Sequence, residues 1–166
     1  MPLDALPQAP ALSDSPYARC IREHNFGLME RAALILALVP HIHPRFLDVF
    51  FAKNATFDRA FTEFGGYTHP RHSGFLPTGE TLAFLLAAND LKSRFALMEL
   101  FEPGHAFSRH HILTLEQGPE GGPPLSGKLE LSADYLSLFT TGKPFQPGYG
   151  AQFPAQIIET RQEWSD

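Results

Sequence analysis

Three features of the apolar pattern predict an α+β domain. Period-3.6 stripes run from residue 25 to residue 101, the period changes to 2 between residues 111 and 131, and Gly/Pro clusters punctuate the runs. At 166 residues and 43% hydrophobic content, the chain can bury one sizeable core and has little left for a second domain. Residues 1–18 read as a flexible Pro-rich arm without the basic and apolar regions of a signal peptide, residues 19–142 as the domain, and residues 143–166 as a linker.

The first helical pattern starts at Asn25, with Leu28, Ala32, Ile35, Leu36 and Val39 at i, i+3, i+4 spacing, and Pro40 is expected to stop it. A second helix opens with Pro44 in its first turn, where a missing N–H costs nothing, and is expected to bury Phe46, Leu47, Phe50 and Phe51 before ending near Asn54. Gly65, Gly66, Pro70, Gly74 and Pro77 break both periods, so residues 56–77 read as a structured loop with a short strand at 61–64. Thr78 then reads as an N-cap, with Glu80 complementing the helix dipole and Leu82, Leu85 and Leu86 following. Asp90 caps the next helix, whose expected inward stripe is Leu91, Phe95 and Met98 with Leu97 and Phe101 beside it; Pro103-Gly104 closes it. The tight Ala88-Asn89 junction makes these two helices a helix-turn-helix pair.

Beyond them His111, Leu113 and Leu115 alternate with Ile112, Thr114 and Glu116. After a Gly/Pro-rich break, Leu125, Gly127, Leu129 and Leu131 alternate again, which predicts a β-hairpin. Ser132 caps a last helix through Leu136 and Phe139 that Gly142 ends, and a short extended piece is expected at 156–160. Three to five helices, a small antiparallel sheet and a C-terminal hairpin able to stand out as a wing follow the order of a winged-helix domain.

Several stretches resemble the variant winged-helix domain found upstream of the motor in certain bacterial AAA-type ATP-binding proteins. They are Ala33-Leu34-Ile35-Leu36-Ala37-Leu38-Val39-Pro40-His41 with Phe46-Leu47-Asp48, Glu63-Phe64-Gly65-Gly66, and most specifically His72-Ser73-Gly74-Phe75-Leu76-Pro77-Thr78-Gly79-Glu80-Thr81 with Phe84-Leu85-Leu86. Leu125-Ser126-Gly127, Leu129, Leu131-Ser132, Thr141-Gly142 and Phe153-Pro154-Ala155 follow the same pattern, whereas Thr68-His69-Pro70 departs from it. The resemblance covers most of residues 25–166 and implies a non-catalytic interaction or regulatory domain whose partners are its own ATPase domain and other proteins. ATP and Mg would belong to that motor; no cofactor and no small-molecule substrate are expected in this chain.

Composition narrows the alternatives. The formal net charge of −5 opposes polyanions, and residues 78–131 carry seven acids against four bases, Lys92, Arg94, Arg109 and Lys128. Those four would have to carry the DNA-binding alternative, a winged-helix regulator gripping phosphates, and the local charge disfavours it. A lone Cys20 fits a reducing cytoplasm, and the longest apolar run, residues 32–39, falls short of the roughly 20 residues of a membrane span. Gly122 to Lys128 has the spacing of a phosphate loop, yet two prolines remove N–H donors and Leu129 stands where a hydroxyl must hold Mg²⁺. His69 and His72, with Glu80 or a further His, give the third alternative, a small metal-dependent hydrolase, without an H-E-x-x-H motif to support it. The interaction candidates are therefore Gly65, Gly66, Phe75, Thr78, Gly79 and Glu80. Glycines there let backbone approach a partner, and Phe75 supplies an apolar anchor if it is exposed. Fifteen phenylalanines are more than such a domain hides easily, and Phe57, Phe61, Phe64 and Phe75 either form an apolar patch or pin the long loop onto the core, two readings of equal weight.

Overall fold

A computed structural model of the chain describes residues 14–117 and 121–145. The expected strand at 156–160 and the resembling triplet Phe153-Pro154-Ala155 lie outside the described residues, as do residues 1–13 of the arm. The architecture is α+β, with six α-helices among the described residues, three 3-10 helices and three two-stranded antiparallel sheets. That is more helix than the three to five segments expected.

The first helix, α1 (Pro16–Glu23), lies partly inside the stretch read as a flexible arm. Ser15 accepts the Ala18 N–H and Pro16 occupies the first turn, a start signal the proline count obscured. Tyr17 of α1 packs edge-on against Phe139, tying the N-terminal helix to the last one. Helix α2 (Leu28–Ile42) runs through Pro40 instead of stopping there. Proline removes one N–H, but the His43 N–H still reaches the Val39 carbonyl at 2.8 Å and closes the final turn. The buried face of α2 is Ala33, Leu34, Leu36 and Ala37, whereas Ile35 of the expected stripe is exposed.

After a bend of 105° the chain enters a 3-10 helix, Pro44–Phe51. A 3-10 helix repeats every three residues, so positions i and i+3 share a face. Leu47 and Phe50 consequently turn inward, and Phe46 and Val49 turn outward at 67% and 69% exposure. Phe51 is also exposed, so the expected burial of Phe46 and Phe51 fails on the difference between period 3.0 and period 3.6.

The glycine-rich stretch is not a loop throughout. It holds β1 (Lys53–Asn54) paired with β2 (Arg59–Ala60), a 3-10 turn at Thr62–Phe64 where a strand was expected, and β3 (Tyr67–His69) paired with β4 (His72–Leu76). Helices α3 (Gly79–Leu86) and α4 (Leu91–Glu99) follow with the predicted caps, Thr78 and Asp90. Ala88, at φ 47°, makes the tight turn between them. The inward faces differ from expectation. Leu85, Leu91 and Phe95 are exposed, while Leu82, Ala83, Leu97 and Leu100 fill the core. Helix α5 (Ala106–Arg109), which periodicity did not show, is capped by His105 Nδ1 accepting the Phe107 N–H.

Strands β5 (Leu113–Glu116) and β6 (Lys128–Leu131) form the predicted hairpin, with Leu113 opposite Leu131 and Leu115 opposite Leu129. Helix α6 (Ala133–Thr141) starts at Ser132 and ends on Gly142 at φ 72°, as predicted. The core gathers Leu34, Leu82, Leu97, Phe107, Ile112, Leu113 and Leu125, joining α2, α3, α4 and α5 to the inner face of the hairpin. Each such side chain contributes roughly 1.5–3 kcal/mol on burial. No single described helix is long and apolar enough to cross a membrane.

Candidate docking groove

The junction of β4 and α3 is built from two threonines. Thr78 Oγ1 accepts the Thr81 N–H and Thr81 Oγ1 accepts the Thr78 N–H at 3.0 Å, a reciprocal capping box in which Thr81 takes the place usually held by Glu or Gln. Thr78 Oγ1 also accepts the Gly66 N–H at 3.2 Å, and the Thr81 hydroxyl donates to the Phe64 carbonyl at 2.8 Å. The helix start therefore also holds the Phe64-Gly65-Gly66 corner in place. On the other side the Leu129 N–H donates to the Pro77 carbonyl and the Gly79 N–H to the Gly127 carbonyl, stitching the same junction to β6. Thr78→Val is expected to cost about 1–2 kcal/mol, since it removes a cap and leaves the Gly66 N–H unmatched. A lower urea midpoint with an unchanged m-value is the measurement.

This corner borders a groove of about 700 Å³ with Gly65, Gly66, Thr78 and Glu80 in its wall. Arg94 reaches across from α4 and donates to both oxygens of Glu80 at 2.5 and 2.6 Å. Arg59, Phe61 and Glu63 form the opposite wall. Two smaller depressions share those walls, one running toward Asn54 and Phe57 and the other toward Phe84, Ala88 and Asn89. Phe57 is strongly exposed, Phe61 and Phe64 are half-buried, and Phe64 packs against Phe50, Phe61 and Phe84.

Four of the six interaction candidates thus border one groove, although Thr78 itself is buried, and Phe75 and Gly79 do not border it. Phe75 is 4% exposed, with its ring against Phe50 and Phe51 and beneath Gly66, so of its two readings the core one holds and the apolar anchor does not. Gly79 is buried, and a Cβ there would meet the Leu125 carbonyl oxygen at 2.8 Å, so its requirement is internal packing. Phe61 was among the candidates for an apolar patch, whereas Arg59 and Glu63 were missed as site residues by sequence reasoning, because only the short β1–β2 pairing carries them to the groove.

The alternative sites fare as follows. Arg94 is engaged by Glu80, and Lys128 Nζ lies 2.7 Å from Glu116 and 3.4 Å from Glu130. Two of the four cations of a DNA footprint are therefore already neutralised. Lys92 and Arg94 also sit on α4, and the short α5 intervenes between that helix and the hairpin. Arg109 ends α5 and is exposed. Lys128 opens β6, and no helix follows it as a phosphate loop requires. His69 and His72 are cross-strand partners in the β3–β4 hairpin, but His69 Nδ1 accepts the Arg71 N–H, and Glu80 is held by Arg94. Among the described residues no three His, Cys, Asp or Glu side chains converge as metal ligands. Burial pushes the Cys20 thiol up to about 11, which leaves it protonated and unreactive near neutral pH.

Comparison with protein-family models, with curated proteins and with solved structures found no match in any of the three.

Proposed function

We propose that this chain is a winged-helix-type interaction and regulatory domain of a cytoplasmic AAA-type ATPase, non-catalytic by itself, which docks its own motor or a second protein along the groove at residues 59–66. One observation carries the reading: Gly65, Gly66, Thr78 and Glu80, from the stretches that resemble such domains most, border one groove next to exposed Phe57. The Arg94–Glu80 pair in that groove is mutually satisfied, so Glu80 serves its shape rather than acid–base chemistry. The order of α2, α3, α4 and the β5–β6 hairpin agrees with a winged helix, with α5 as an addition. ATP and Mg would be bound by the motor.

The test uses the full-length parent protein. A reading frame that continues past Asp166 into G-x-x-x-x-G-K-[ST] is the expected context. Arg59→Glu combined with Glu63→Arg changes exposed groove walls and is expected to alter stability by no more than about 0.5 kcal/mol. The same double variant is expected to change ATPase rate or subunit assembly. An unaltered rate and unaltered assembly, or a reading frame without a motor, would overturn the proposal.

A further inference from the structure

Helix α2 is apolar on two sides. Ala33, Leu34, Leu36 and Ala37 face the core, and on the opposite side Ile35, Leu38, Val39 and Ile42 stand at i, i+3, i+4 and i+7, a single stripe of an α-helix. Leu38 and Val39 are half-buried, whereas Ile35 and Ile42 are exposed, at 49% and 61%. Past the 105° bend, Phe46 and Val49 share the outward face of the 3-10 helix Pro44–Phe51 and are more exposed still. A helix that is apolar all round is normally enclosed on every side, so α2 carries a second face that the described residues leave largely uncovered. Scattered single apolar residues are ordinary on a surface, but a run of them on two successive helices marks an interaction face.

We propose that this corner is the self-association face of the chain, on which a second copy docks about a two-fold axis beside Phe46 and Val49. The face goes beyond the docking groove and shares no wall residue with it. Charge selects the occupant. Between residues 32 and 52 the only formal charges are Arg45 and Asp48, so the stretch is neutral in a chain of net charge −5. Two copies therefore meet there with little of the repulsion that opposes contact elsewhere. Arg45 and Asp48 are both exposed, and neither joins an ion pair among the described residues. They lie three residues apart on the 3-10 helix, hence on one side of it, next to the side that carries Phe46 and Val49. A two-fold interface must complement itself. Two such helices crossing antiparallel set Arg45 of each copy opposite Asp48 of the other and Phe46 of each against Val49 of the other, which pairs both ions and covers both apolar side chains at once. A partner of one charge sign would match only one of the two ions. A contact centred on these few side chains buries about 1,200 Å² or less in total, the range of weak, reversible complexes, and a dissociation constant of roughly 10–100 µM is expected.

Sedimentation equilibrium of the full chain is the test, with a reversible monomer–dimer equilibrium expected. Phe46→Ser should weaken association by about tenfold or more, as loss of a central aromatic does, with the melting temperature unchanged because the ring is exposed. Phe57→Ser, at an equally exposed phenylalanine beside the docking groove, should change neither, which separates this face from the groove. Arg45→Asp should weaken the dimer severalfold, and adding Asp48→Arg to it should restore the dimer, since the reciprocal pairs re-form with their signs exchanged. The doubly exchanged chain and the wild type should not pair with each other. If Phe46→Ser lowers the melting temperature, the charge exchange at exposed Arg45 and Asp48 still decides. A chain that stays monomeric up to about 1 mM, well above the range expected of so small an interface, would overturn the proposal. So would a dimer indifferent to Phe46→Ser and Arg45→Asp, or an exchange that fails to restore it. A monomer that instead co-sediments with phosphatidylcholine–phosphatidylglycerol vesicles, and ceases to do so as Phe46→Ser, would overturn it in favour of a lipid surface.

Discussion

Truncating Phe75 to alanine is expected to destabilise the domain by about 3–5 kcal/mol, the cost of a large aromatic removed from a closed core. The ring lies 5.2 Å from Phe50 and 5.6 Å from Phe51 between centroids, and Gly66 crosses its edge so closely that a Cβ there would come within 2.6 Å of Cζ. Backbone on one side and phenyl rings on the other leave little room for collapse, so most of the cavity remains after truncation. Urea unfolding followed by circular dichroism measures the loss, and the melting temperature should fall by roughly 2–4 °C for each kcal/mol in a chain of this size. A loss below about 1 kcal/mol would show that the ring is not part of the core. An effect of this variant on assembly would report unfolding, which is why the docking test uses Arg59 and Glu63.

Gly65→Ala is expected to be comparably damaging, at about 2–6 kcal/mol, through two causes that add. Its backbone sits at φ 60°, ψ −131°, a region that L side chains rarely adopt, which alone costs about 1–3 kcal/mol. A Cβ there would also strike Thr78 Oγ1 and approach Glu80 Cβ to 2.7 Å, so the capping box must shift or the 59–66 corner must move outward, at a further cost of about 1–3 kcal/mol. Gly121→Ala supplies the control. It shares a positive φ, 71°, but faces open space, so its loss should stay near the backbone component. Equal losses in the two variants, read from the same urea curves, would remove the steric cause and with it the view that Gly65 is fixed by the α3 cap.

The helix starts were legible because a cap is a local event. Thr78, Asp90 and Ser132 each accept an N–H three residues on, and nothing outside those four residues is needed. The β5–β6 register was legible for a similar reason, since alternation fixes which residues face inward once two strands pair. The β1–β2 and β3–β4 pairs were not, because strands of two to five residues among glycines and prolines are too short to show a period. The groove was half legible. Gly65, Gly66, Thr78 and Glu80 stand in stretches whose composition marks turns and caps, and Phe61 stood out by aromatic content, while Arg59 and Glu63 reach it only through a fold-back that leaves no spacing signal.

The sequence by itself determined the α+β class, the caps of α3, α4 and α6, the end of α6, the β5–β6 hairpin, and the mismatch of the Gly122-to-Lys128 stretch with a phosphate loop. Tertiary structure alone decided which face of each apolar helix turns inward. Helix α4 is the plainest case, with Leu91, Phe95 and Met98 on one stripe and Leu97 and Leu100 on another, so two faces compete and periodicity cannot choose. The Arg94–Glu80 ion pair joins α4 to α3, Leu97 and Leu100 enter the shared core, and Leu91 and Phe95 are left outside. Tertiary structure likewise decided between the core and surface readings of Phe75, in favour of the core, and engaged Arg94 and Lys128 with carboxylates. The physical reason is common to all three: burial and charge pairing are set by the element on the other side of the contact, which the local sequence does not contain.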